Sequence, residues 1–203
     1  MLSYSTIDAH TLELLKALMG EDLFSSLRLV GGTALALQYG HRQSVDLDMF
    51  GPVQLDSLEV RFVLNRLGKL TVIKETPNIK IYTLDGIKID FVNYVYPWID
   101  KAIAEDGIRL ASDKDIAAMK VNAIEGRGSK KDFIDIYFLL QHYTWEEILE
   151  FYCRKYPENS VFRAVLSLSY FDDADTQMMP VMFADSSWKD IKKYLSEIVK
   201  NFK

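Results

Sequence analysis

Asp46 and Asp48, one residue apart in SVDLDMF, are the first side chains whose types and spacing could do chemistry. On an extended strand successive side chains alternate between faces, so both carboxylates point the same way. Two like charges held side by side repel, and a cation between them relieves the repulsion. A third carboxylate, Asp90 in IKIDFVNYV, lies among apolar strand formers, where an unpaired charge is costly to bury. Three carboxylates drawn from two strands would offer oxygen ligands to one or two Mg²⁺ ions.

Upstream of the pair, Gly31-Gly32 separate a short apolar run from a stretch of good helix formers, Thr33 to Tyr39. A diglycine there lets backbone approach a phosphate, and the helix N-terminus supplies free N–H groups and partial positive charge. Thr33 could add a hydroxyl donor. Combined with the carboxylates, this is the equipment of metal-assisted phosphoryl or nucleotidyl transfer. Arg42, four residues before Asp46, suits a phosphate contact and a salt bridge to a nearby carboxylate equally well.

These residues need a scaffold, and the hydrophobic pattern outlines one. Helical spacing covers 5–19, with Ser5 as its cap. A strand at 27–30 leads through the diglycine into helix 33–39, closed by Gly40. A strand at 45–50 holds the aspartate pair, and an amphipathic helix spans 55–67. Strand-like runs follow at 69–75, 79–84 and 87–95, with Asp85-Gly86 marking a tight hairpin. The stretch after Pro97 reads as irregular. Ser112, with Asp115 three residues on, resembles a capping box opening a helix that runs to Gly126. Further helices are expected at 130–142, at 145–156 capped by Thr144, near Ser160, and at the C-terminus after Ser186 or Ser187. FDDADTQMMPVMF reads as a surface loop. The fold class is α+β: a small mixed sheet flanked by helices in residues 1–111, then a helical region, 112–203, that completes the site.

Composition bounds the rest. Apolar residues make up 49% and charged residues 26% of 203, enough to bury a core in one moderate domain. There is no apolar run of membrane-spanning length and no basic-then-apolar leader pattern, so a cytoplasmic protein is expected. The single cysteine, Cys153, reads as a small buried or half-buried hydrophobe. A net charge of −5 argues against non-specific coating of nucleic acid but leaves room for a local basic groove. The densest basic tract, RGSKK at 127–131, is a solvated turn by default, and a backbone contact if the acceptor is RNA. Tyr137-Phe138 and Phe151-Tyr152 read as core rather than as base-stacking platforms.

GGTALALQYGHRQSVDLDMF resembles the signature of the polymerase-β-type nucleotidyltransferase superfamily. Together with KIDFV, DIAAMKVNAIEGRGSKKDFIDIYFLL and the late LSYFDDAD, it resembles more narrowly the AbiEii/AbiGii toxin family of nucleotidyltransferases, over nearly the whole chain. The resemblance implies that Gly31, Gly32 and Thr33 form the glycine turn and that Asp46 and Asp48 bind metal. Asp90 falls on its third carboxylate. It further implies that Lys120 contacts nucleotide phosphates and that Asp132 or Asp135, one helical turn apart, faces the site. The implied activity is Mg²⁺-dependent transfer of an NMP from an NTP to an acceptor hydroxyl. RNA or tRNA is the implied acceptor, and an antitoxin the implied protein partner. Two alternatives stand beside it: transfer to a protein or small molecule, and a catalytically silent nucleotide- or partner-binding protein.

Overall fold

Asp8, rather than Ser5, opens the first helix. Its carboxylate accepts from the Thr11 amide (3.0 Å) and hydroxyl (2.5 Å), which caps Ala9–Gly20 (α1), while Ser5 lies in a 3-10 turn, Tyr4–Thr6. The computed structural model describes residues 1–202. After α1 come Arg28–Val30 (β1), Gly31–Tyr39 (α2), Leu47–Gly51 (β2), Ser57–Leu67 (α3), Leu70–Glu75 (β3), Ile79–Leu84 (β4) and Ile87–Asn93 (β5). The expected α+β architecture of a mixed sheet flanked by helices is present. The diglycine, however, forms the first turn of α2 instead of preceding it, and Asp46 lies just ahead of β2.

The stretch after Pro97 is not irregular. It holds a second hairpin, Ile103–Glu105 (β6) and Ile108–Leu110 (β7), turned by Asp106-Gly107, the same dipeptide as at 85–86. In both turns the aspartate and the glycine take positive φ. The short strands carry too little alternation to be noticed unaided. β7 nevertheless joins β1 in parallel and completes a seven-stranded sheet of order β3-β4-β5-β2-β1-β7-β6.

The helical half comprises Asp113–Gly126 (α4), Lys130–Leu139 (α5), Trp145–Lys155 (α6), Val161–Ser167 (α7), Asp172–Asp175 (α8) and Trp188–Asn201 (α9). α5 stops at Leu139 instead of His142, because the Gln141 and His142 amides tighten to i−3 carbonyls before Thr144 caps α6. The short α8 interrupts the expected loop. Cys153 is exposed, since the buried stripe of α6 runs through Ile148, Leu149, Tyr152 and Lys155 and leaves position 153 outside it. No described helix is long and apolar enough to cross a membrane.

Ser112 caps α4 by accepting from the Asp115 amide (3.1 Å), but Asp115 does not complete a capping box. Its buried carboxylate instead accepts from the Ile99 amide (2.9 Å), the Asp100 amide (3.2 Å) and Lys155 Nζ (2.7 Å). Lys155 also donates to the Pro97 carbonyl (2.8 Å). This knot ties the connection after β5 to α4 and α6. Buried apolar residues from Leu2 to Leu195 form one contiguous core, so the sheet and the helical half share an interior. Phe91 of β5 stacks on Phe24 (4.7 Å) on the core side of the sheet, while the opposite face of β2 and β5 looks toward α4.

Candidate active site

β2 and β5 run parallel with Asp48 level with Asp90. The two-residue period then places Asp46, Asp48 and Phe50 on one edge of the open face, with Lys88 and Asp90 beside them. All five line a cleft of about 450 Å³ closed by Met119, Lys120 and Asn122 of α4 and by Arg127 and Asp132. Val30 and Gly31 open onto it as well, and no side chain caps that end of α2. The helix therefore presents unsatisfied amides to the same space as the carboxylates.

The glycines divide their labour. Gly31 has φ +68°, and a Cβ there would run into the Asp48 carboxylate. A Cβ on Gly32 would instead strike the Arg42 guanidinium. Gly32 thus makes room for a buried ion pair and does not line the cleft. Thr33 is likewise removed from it: buried to 1% exposure, its hydroxyl donates to the Asp46 carbonyl and meets Ser44 Oγ at 2.9 Å. Its role is to fix the segment that delivers Asp46.

Arg42 forms the salt bridge, not an open phosphate contact. Its Nε and Nη2 donate to the two oxygens of Asp135 (2.7 and 2.9 Å), and both residues are sealed from solvent. His41 Nε2 (2.9 Å) and Lys120 Nζ (2.6 Å) complete the surroundings of Asp135. Its burial opposes ionisation, but Arg42 and Lys120 prevail and hold the carboxyl well below its ordinary range. Asp132 is the one that lines the cleft. It accepts from Lys120 (2.8 Å), Arg127 (3.1 Å) and Ser129 (2.6 Å). Burial would raise it, yet Lys120 and Arg127 outweigh that and lower it to about 2. Lys120 reaches the cleft wall with its ammonium already compensated by two carboxylates.

The carboxylates of the strands behave differently. Burial, and then the charge of Asp90 alongside, push Asp48 up to about 6. Lys88 Nζ stands 2.6 Å from Asp90 Oδ1. Among the described residues no group of three His, Cys, Asp or Glu side chains converges as a ready-made metal cage. The donor set still suits Mg²⁺, which commonly takes one or two carboxylates and completes its shell with water and substrate phosphates.

Several lining residues escape the sequence reading. Lys88 precedes Asp90 by the strand period, a signal that IKID carries openly. Tyr94 and Tyr96 continue that period beyond Asp90. Tyr156 and Asn122 have no local signal, because only packing brings them here. Of the RGSKK tract, only Arg127 lines the cleft. Lys130 is buried, with Nζ donating to the Asp175 and Gln177 carbonyls.

Residues 13–199 match the family described as nucleotidyl transferase AbiEii toxin, type IV TA system. An uncharacterized protein of Aquifex aeolicus (strain VF5) is 34% identical over 196 residues, spanning 94% of each chain. Among solved structures, the chain resembles a Helicobacter pylori protein described as a candidate nucleotidyltransferase (20% identity, 94% of this chain and 90% of that one, TM-score 0.56). It also resembles ANT(2'')-Ia in complex with adenylyl-2''-tobramycin (17% identity, 75% of this chain and 100% of that one, TM-score 0.56). At such identities these structural likenesses establish a shared fold.

Proposed function

The chain belongs to the nucleotidyl transferase AbiEii toxin family, and from that premise we propose that its cleft moves a nucleoside monophosphate from an NTP to an acceptor hydroxyl, with Mg²⁺ and an RNA acceptor such as tRNA. One observation carries this reading: Asp48 and Asp90 stand level on adjacent strands, in a cleft onto which the uncapped N-terminus of α2 opens. Anions and divalent cations are both drawn to such a place, and a metal–triphosphate complex satisfies both.

Asp46, Asp48 and Asp90 would hold Mg²⁺, which when bound neutralises triphosphate charge and polarises the reacting phosphate. The α2 amides at Gly31 receive phosphate oxygens. Lys88 and Arg127, whose side chains are 39% and 71% exposed, can swing onto the triphosphate. The acceptor oxygen bonds to the α-phosphorus as the bond to the β-phosphate oxygen breaks. Pyrophosphate leaves with that electron pair, and the hydroxyl proton passes to Asp90. Asp132 and Asp135 position Lys120 on the cleft wall, where its third N–H can meet a phosphate oxygen, and Asp132 holds Arg127 at the rim until it turns to the triphosphate.

The family's description names a type IV TA system, which supports growth arrest as the proposed consequence and an antitoxin as a proposed partner. Incubation with Mg²⁺, each labelled NTP and bulk RNA tests the reaction. Label should appear on RNA and be lost in Asp48→Asn. Label on protein or a small molecule would move the acceptor, and no transfer to any acceptor would sink the reading.

A further inference from the structure

The cleft has two chemistries, and the phosphate reading uses only one. Along β2 the open face reads Asp46, Asp48, Phe50, so two residues past the carboxylate the wall turns aromatic. Along β5 and its continuation it reads Lys88, Asp90, then Tyr94 and Tyr96. Tyr156, at the end of α6, closes this side. The rings form a connected set: Phe50 to Tyr94 at 5.4 Å, Tyr94 to Tyr96 at 5.4 Å, and Tyr96 to Tyr156 edge-on at 4.8 Å. Tyr94 and Tyr156 join hydroxyl to hydroxyl at 2.6 Å in a buried contact, so their polar ends are already satisfied and they serve as backing. Tyr96 is different, since 47% of it remains exposed.

The Tyr96 ring is left open inside a cleft that also holds the carboxylates. The connection carrying it is anchored by the Asp115–Lys155 knot, with Lys155 bonded to the Pro97 carbonyl next door. The shelf is therefore pre-positioned, which lowers the ordering cost of stacking on it. From Asp48 to Phe50 the strand rises about 7 Å, a spacing a ribose can bridge. Asn122, the one side-chain amide among the described residues of the cleft, is exposed there, and its Oδ1 accepts from Asn159 (3.0 Å).

We propose that Tyr96, backed by Tyr94 and Tyr156 and flanked by Phe50, is the shelf on which the base of the bound nucleoside triphosphate stacks, with Asn122 contacting the base edge. The inference rests on the nucleotidyl-transfer reading and assigns the nucleotide's second anchor within the same cleft. Phosphates lie toward Gly31 and Lys88, and the base toward the rings.

Titration calorimetry in Mg²⁺ with each of the four NTPs and with inorganic tripolyphosphate separates the two ideas. The wild-type chain should bind its preferred NTP more tightly than tripolyphosphate. Tyr96→Ala should weaken NTP binding about tenfold while leaving tripolyphosphate affinity in place, and Tyr96→Phe should retain the advantage. Asn122→Ala should flatten the preference among the four bases. An NTP advantage that survives Tyr96→Ala, an absence of advantage in the wild type, or equal loss of both ligands in Tyr96→Ala would each overturn the shelf. Failure of the wild type to bind either ligand would sink the nucleotidyl-transfer reading, and the shelf with it.

Discussion

Asp48 answers to two opposed demands. As a proposed metal ligand it must be ionised, yet burial and the neighbouring Asp90 charge raise it to about 6. Metal binding then competes with a proton. Mg²⁺ affinity measured calorimetrically should be level above about pH 7 and fall roughly tenfold per pH unit below about 6. An affinity unchanged between pH 7 and 5 would mean that Asp48 is not a ligand. Gly31 leaves room for the same carboxylate. Gly31→Ala forces a side chain into a left-handed backbone and against the Asp48 carboxylate. It should cost about 1–2 kcal/mol in urea unfolding from the backbone alone, together with loss of NTP transfer. Retained transfer would show that the turn tolerates displacement of Asp48.

At the level of elements, buried ion pairs join α4 to α5 within the common core. Asp132 and Asp135 of α5 face Lys120 of α4, and Asp135 also holds Arg42 from the connection between α2 and β2. Asp135→Asn leaves two buried cations short of a carboxylate and should cost about 3–5 kcal/mol in denaturant unfolding. Both carboxyls are held below their unfolded values, so the folded state binds fewer protons. The stability they add is complete above about pH 4 and is lost as the pH falls through about 2, the value for Asp132. Unfolding midpoints followed from pH 5 to pH 2 should drop more steeply in the wild type than in Asp132→Asn. Parallel curves would count against these pairs as a source of acid sensitivity.

For the molecule as a whole, the sheet and the helices depend on each other. One core spans both, the cleft takes walls from each, and the Asp115–Lys155 knot fastens the connection after β5 to two helices. A fragment of residues 1–111 should therefore lack a cooperative transition by circular dichroism, whereas the full chain should unfold in one step. Cooperative unfolding of the fragment would establish the first half as an independent domain.

The sequence alone determined the parts governed by local periodicity. The strand period put Asp46 and Asp48 on one face, helical spacing located α3, and spacing with the caps Ser112 and Thr144 located α4 and α6. The glycine turn marked the approach to the cleft. Sequence patterns resembled a nucleotidyltransferase toxin family because each motif, though the set is spread along the chain, is itself a short local run. What only the tertiary structure decided was partnership between distant residues. Arg42 and Asp135 lie 93 positions apart, and no local signal says that this arginine is consumed by that aspartate, leaving Asp132 to face the cleft. Nor does spacing reveal that Tyr156 arrives from α6 to back Tyr94, 62 positions earlier. Chemistry that needs one strand can be read along one strand. Whether a charge is free to meet a ligand depends on every neighbour that packing brings to it, and that is a property of the folded chain.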